Sequence, residues 1–293
     1  MKVSRPLWRP LLRGTRGQRR DAGFTLLEAV LVIALTGIVA AMVGVFIRHP
    51  VEAYIDQARR AELSDTADLA LRRIAREVAR ALPNSVRVDP SGLMLEFVPV
   101  NASGRYRAAP AADGSGDFLD FDNPADHSFE VLGPPVDVAA GSLLVVYNLG
   151  IPGADVYAGE SRRALTSSGA ALASLSYTVG ATQLPFRSPG NRFQIVAAPV
   201  SYACIPGVGG TGALRRYSGY AIQNAQPVDT TAAPLAALAG RDNSLLADKV
   251  EACAFAFGSG PTARIGVVSL HLTLASGGER LALVHQVHVD NSP

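Results

Sequence analysis

From Phe24 to Ile47 the chain runs for 24 residues without a Lys, Arg, Asp or His, and Glu28 is its single charged side chain. Roughly 20 apolar residues carry a helix across the hydrocarbon core of a bilayer, so a run of this length reads as a membrane span. A cleavable secretory signal has an apolar stretch of only about 7 to 15 residues, closed by small residues at the cut site. Here the run is longer and ends in Arg48-His49-Pro50. On its N-terminal side Lys2, Arg5, Arg9, Arg13, Arg16, Arg19 and Arg20 against Asp21 give residues 1–23 a net +6, leaving −4 for the rest of a chain whose total is +2. Positive residues stay on the cytoplasmic side, which puts everything after Ile47 on the outer face. The acidic remainder has no bulk electrostatic reason to seek nucleic acid, and no nucleic-acid partner is expected.

Glu28 is the anomaly in this run. A carboxylate near the centre of a membrane helix costs on the order of 2.5 to 3.5 kcal/mol, and less near the interface, where it can snorkel. Cleavage between Gly23 and Phe24, before the apolar run, would create an ammonium at Phe24. Glu28, four residues on, could then pair with the ammonium of a neighbouring copy in low dielectric. Gly23-Phe24-Thr25-Leu26-Leu27-Glu28 followed by an apolar run resembles the N-terminal signature of type IV prepilins and type II secretion pseudopilins. The resemblance implies that a prepilin peptidase cuts after Gly23 and methylates Phe24, and that Glu28 docks the subunit into a filament. It also implies an inner-membrane assembly platform and other pilins as partners, with membrane lipid around the helix before assembly.

Beyond Ile47 the apolar residues keep a helical period. Val51, Tyr54, Ile55 and Ala58 are followed by Leu63, Ala67, Ala70, Leu71, Ile74, Val78 and Leu82, while Asp68–Arg72 and Arg73–Glu77 form i,i+4 pairs on the opposite face. Pro50 removes one helical hydrogen bond and favours a kink, and Leu82-Pro83-Asn84-Ser85 is a stop signal. After Pro83 short β-rich segments take over: 93–98, 118–121, 129–132, 143–147, 174–179, 193–204, 214–222, 250–257, 265–275 and 280–289. Residues 150–169 and 221–243 read as loop excursions. The expected organisation is a leader (1–23), a membrane helix (24–47), an amphipathic continuation (48–82) and a β-rich extracytoplasmic domain (83–293). This is an α+β fold, a long N-terminal helix on an antiparallel sheet. With 48% hydrophobic residues in 293, the chain can bury a substantial core.

The two cysteines, Cys204 and Cys253, both follow the membrane run. In an oxidising compartment an even pair on predicted strands is expected to form a disulfide, although two buried thiols would also fit. Three other features could suggest chemistry. Gly207-Val208-Gly209-Gly210-Thr211-Gly212 fits a dinucleotide-loop pattern, but no helical face follows it, and a hairpin loop is expected. His271, His285 and His288 lie on the last two predicted strands. Pairing Leu272 with Leu283 and Leu274 with Leu281, around the turn Ser276–Glu279, sets His285 on one face and the other two on the opposite face, which argues against a shared metal. Asp117, Asp120, Asp122 and Asp126 lack the spacing of a known calcium loop and read as a solvated loop. No nucleophile elbow, phosphate loop or zinc-protease motif is present, so no catalytic residue, metal or cofactor is assigned.

The length, the Cys-bearing β segments and the C-terminal stretch Leu283–Pro293 are similar to the larger minor pilins, with the J-type pseudopilins as relatives. That resemblance implies a subunit that initiates or caps filaments at the tip, moving from the inner membrane to the cell surface. A ligand-binding tip subunit (adhesin or DNA uptake) and a type II secretion pseudopilin are the alternatives.

Overall fold

A computed structural model describes residues 23–180, 183–258 and 265–293. The architecture is α+β: one long N-terminal helix, α1 (Leu26–Val78), followed by antiparallel strands. The chain divides after Ile55 into two compact units. The first holds the apolar half of α1, and the second, beginning at Asp56, holds the rest of the chain.

The strands of the second unit are β1 (Arg87–Val88), β2 (Met94–Phe97), β3 (Val100–Tyr106), β4 (Ser128–Leu132), β5 (Val136–Val138), β6 (Leu143–Val145), β7 (Arg162–Ala164) and β8 (Gly169–Leu172). They continue with β9 (Ser174–Ser176), β10 (Arg192–Val196), β11 (Val200–Ile205), β12 (Gly212–Tyr217), β13 (Asn243–Gly258), β14 (Ile265–Ser276) and β15 (Glu279–Asp290). A seven-stranded sheet has the order β1-β2-β11-β12-β13-β14-β15, and a six-stranded sheet the order β7-β6-β10-β3-β4-β9. The two are joined twice by short links, β2 to β3 and β10 to β11.

The helical stripe finds its partner on the larger sheet. Leu63, Ala67, Ala70, Leu71, Ile74 and Val78 are buried and pack with Leu95, Phe97, Tyr202, Leu214, Val250, Leu270, Leu272 and Val287. A second core, around Tyr106, Phe129, Leu144, Leu175 and Phe193, fills the smaller sheet. A third links them through Leu82, Val98, Val145, Tyr157 and Val196. Arg72–Asp68 and Arg73–Glu77 are salt bridges at 2.7 and 3.3 Å, on the helix face away from the sheet for the first and at its edge for the second.

Several boundaries differ from the sequence reading, each for a local reason. The helix ends at Val78 rather than Leu82, because the Leu82 N–H donates to Val98 O (2.7 Å) and the Val100 N–H to Arg80 O (2.9 Å), which draws the chain into a bridge beside β2 and β3. The single strand expected over 193–204 is two strands, broken where Pro199 has no N–H to give a ladder. Residues 118–121 form no strand: the Asp120 N–H is taken by the Asp126 carboxylate at 2.8 Å. Within the loop expected over 150–169, β7 pairs with β6. The last hairpin has the expected register, Leu272 opposite Leu283 and Leu274 opposite Leu281. Its turn is Gly277-Gly278, with φ of +57° and +88°, the backbone a type I′ turn needs.

Strand β13 is bent. Lys249 has φ +56° and the β13–β14 register shifts between Val250 and Ala252, a bulge that turns the second half of the strand away from β12. That turn brings Cys253 beside Cys204 of β11, and the two are bonded across the end of β12 with their Cα atoms 6.0 Å apart. Lys249 and Glu251 at the bulge are tied by ion pairs to Glu62 of α1 (2.6 Å) and to Arg280 of β15.

Candidate functional site

The N-terminal segment is where the sequence placed its chemistry. Thr25 caps α1: its Oγ1 accepts the N–H of Glu28 at 3.3 Å. Thr25 and Glu28 therefore stand at the N-cap and N3 positions, where the Thr25 half of a capping box is formed, and a carboxylate one turn into a helix also faces the positive end of its dipole. The backbone N–H of Glu28 is used in this cap, while its carboxylate is exposed and accepts no hydrogen bond or ion pair from any described residue. Gly23 is also free of structural demands. A Cβ built there meets no atom of the described residues within 4 Å. Neither Gly23 nor the Glu28 carboxylate is explained by packing among the described residues.

The same holds for the side chains that follow. Phe24 is 75% exposed, Leu26 84% and Phe46 77%, and the apolar half of α1 has no buried residue among those described. It is the one helix, among the described residues, long and apolar enough to cross a membrane. At about 25 cal/mol per Å² of apolar surface, leaving this helix in water is costly, so it needs lipid or the helices of other subunits around it.

Polar networks in the second unit hold the domain rather than expose reactive groups. Glu96, on β2 between apolar neighbours, is fully buried and accepts from Arg87 Nε (2.7 Å) and Tyr220 OH (3.0 Å). Arg87 continues to the carbonyls of Gln223 and Asn224 (3.0 and 2.7 Å) and stacks 3.5 Å above the Tyr157 ring. Burial pushes the Glu96 carboxyl above its ordinary value, and the Arg87 pair offsets only part of that. Glu77 on α1 is the reverse case. Burial alone would raise it, but hydrogen bonds from Arg216 (2.8 Å) and others hold it below the ordinary range. Sequence reading placed Glu77 only as the partner of Arg73 and passed over Glu96, for which the available signal was a lone Glu inside the apolar stretch Met94–Phe97.

The other expected features have plain roles. Residues 207–211 lie in the β11–β12 hairpin loop and Gly212 opens β12, with Gly210 N–H donating to Gly207 O at 3.0 Å, so a strand and not a helix follows. His271 and His288 are exposed on one face, and His285, opposite Leu270, is half-buried on the other. Asp126, Asp120 and Asp122 accept, in turn, the Asp120 N–H (2.8 Å), the Asp122 N–H (2.9 Å) and the Arg187 guanidinium (2.6 Å). An open cleft of about 1030 Å³ lies between β6, β7 and the Gly219–Ile222 segment, with Arg162, Arg163 and Glu160 on its wall. Burial lowers the Arg162 guanidinium, which donates to Ile222 O at 3.4 Å. Among the described residues no His, Ser or Cys lines this cleft.

Residues 18–44 match the prokaryotic N-terminal methylation motif, a type IV pilin-type signal. No curated protein and no solved structure matches the chain. The motif implies processing by a prepilin peptidase and assembly with other pilins, and it points to a structural protein rather than an enzyme. Together with the apolar helix it fits a membrane-anchored pilin that is assembled into a pilus.

Proposed function

We propose, from the premise that this chain carries a prokaryotic N-terminal methylation motif, that it is a minor pilin of a type IV pilus. In this reading prepilin peptidase cleaves after Gly23, methylates the new N-terminus at Phe24, and leaves the β-rich domain on the periplasmic side until assembly. In this reading it is a counterpart of the biogenesis-type minor pilin of the mannose-sensitive haemagglutinin pilus, and its site of action is the filament tip, where the subunit primes assembly. Disulfide formation between Cys204 and Cys253 accords with an oxidising compartment.

The observation that carries the reading is that Gly23 and the Glu28 carboxylate have no use among the described residues. Gly23 has open space around it, and the Glu28 carboxylate, one turn into an apolar helix, has no partner among the described residues. A peptidase that needs a residue without a side chain before the cut explains the first. The ammonium that the cut creates on a neighbouring Phe24 explains the second, since an unpaired carboxylate in an apolar bundle is costly until a cation meets it.

Mass spectrometry of the chain recovered from assembled filaments tests this directly. A mature N-terminus at methylated Phe24 is expected; a chain starting at Met1 in filaments overturns the reading. Gly23→Ala should block processing and Glu28→Ala should leave processing intact but reduce surface filaments. Filaments at wild-type numbers in both variants would also refute it. A second reading, a ligand-binding tip subunit, is favoured by the arginine-lined cleft. It requires that an acidic ligand bind the full chain and that Arg162→Ala weaken this binding with assembly unchanged.

A further inference from the structure

The sheets of the second unit end in edges of very unequal length. Strand β1 has two residues, β7 and β9 three each, but β15 has 12. It pairs with β14 in an unbroken register from Asp290 opposite Ile265 to Glu279 opposite Ser276. The two-residue turn fixes which main-chain groups this pairing uses. Ser276 and Glu279 close the turn as a hydrogen-bonded pair, so the odd-numbered residues of β15 point their N–H and C=O at β14. Arg280, Ala282, Val284, Gln286, His288 and Asp290 therefore turn theirs away from the sheet. Among the described residues none of these outward groups from Arg280 to His288 meets another backbone group.

Protein edges of this kind are normally guarded by Pro, Lys, a bulge, or an inward charge. Residues 281–289, Leu-Ala-Leu-Val-His-Gln-Val-His-Val, contain no Pro, Lys or acidic residue, and their register has no shift. Charges stand only at the ends, Glu279 and Arg280, paired with Arg60 and Glu251, and Asp290. Val284, at the middle, is 60% exposed. An open row of alternating donors and acceptors along an uncharged strand is complementary to one thing, another extended backbone.

We infer that the free edge of β15 is a strand-addition site, and that its occupant is an extended, uncharged segment of a different subunit anchored in the same membrane. A second copy joined through antiparallel pairing with its own β15 does not suit it. Two β15 edges that pair antiparallel do so about a two-fold axis normal to the sheet, and this reverses the direction of α1, which packs flat on that sheet. Chains anchored by that helix in one membrane run the same way. This choice of occupant rests on the membrane-anchored pilin reading, whereas the open edge itself does not.

The test uses the full chain. Hydrogen exchange in detergent micelles should show fast amides at Ala282, Val284 and Gln286, alternating with slow amides at Leu281, Leu283 and His285. Slow exchange at the outward set in the isolated chain means that the edge is already covered and overturns the inference. In cells, a photo-reactive benzophenone residue replacing Gln286 should cross-link to another chain with its own N-terminal methylation motif, through an extended segment of that chain. Val284→Pro removes only an outward N–H, so the inward amides should stay slow and cleavage at Gly23 should proceed, while this cross-link falls at least tenfold. Ala282→Pro is the second variant, should the first disturb the fold. Cross-linking between two copies, to no pilin-type chain, or at full yield in both proline variants overturns the proposal. Loss of Gly23 cleavage with the exchange pattern intact would instead overturn the pilin reading alone.

Discussion

Ile74→Ala should unfold the second unit far more readily than Leu69→Ala, although both lie on the same helix five residues apart. Ile74 is 0% exposed and packs on the seven-stranded sheet, whereas Leu69 is 68% exposed. Ile74→Ala removes three carbon groups, worth about 2.4 kcal/mol of transfer at ~0.8 kcal/mol each. The residual cavity adds to this at about 24 cal/mol per Å³, which brings the total to about 3–4 kcal/mol, within the 2–5 range seen for such truncations. For a domain of this size, about 2–4 °C per kcal/mol translates the loss into a fall in Tm of roughly 6–16 °C. Leu69→Ala, on an exposed position with a good helix former, should stay within about 0.5 kcal/mol. Thermal melts of the full chain in micelles, followed by the near-ultraviolet circular dichroism of its tyrosines, separate the two. Equal shifts for both variants, or a loss under about 1 kcal/mol at Ile74, would refute the assignment of the helix face.

Three further outcomes follow from the polar and covalent ties. Reducing Cys204–Cys253, or replacing both by Ala, should cost about 2–4 kcal/mol in urea denaturation, because the bond closes a long loop in the unfolded chain; an unchanged midpoint would show that the bond constrains nothing. Glu96→Ala leaves the Arg87 guanidinium against a fully desolvated gap and should cost about 3–5 kcal/mol, judged by the same melts, with Glu96→Gln milder; a neutral Ala variant would contradict the buried pair. Glu77 is held below its ordinary value of 4.5, so its contribution is complete above that pH and lost as pH falls through the lower folded value. The stability gap between wild type and Glu77→Gln should therefore shrink as pH is lowered below 4.5, and a gap constant from neutral pH to acid would exclude this linkage.

What could be read from the chain itself is what depends on near neighbours. The apolar run, the residues at its N-terminal end, and the stripe Leu63–Val78 repeat at spacings that a helix turns into faces. The β14–β15 register was likewise legible, because a two-residue Gly-Gly turn and the alternation of Leu281, Leu283 and Val287 leave one pairing that buries all of them. Tertiary structure alone decided the rest. That α1 stops at Val78 depends on Val98 and Val100, which arrive after a reversal of the chain. Glu96 is tolerable in an apolar strand because Arg87 and Tyr220 come to it from two other segments. Cys204 can meet Cys253 across β12 because Lys249 takes a left-handed backbone and bends β13. The openness of β15 is likewise a property of the whole sheet, since a strand's free edge exists only once the order of its neighbours is settled. Periodicity records which face of an element is buried; it carries no record of which distant segment does the burying, and that choice is made by the packing of the complete chain.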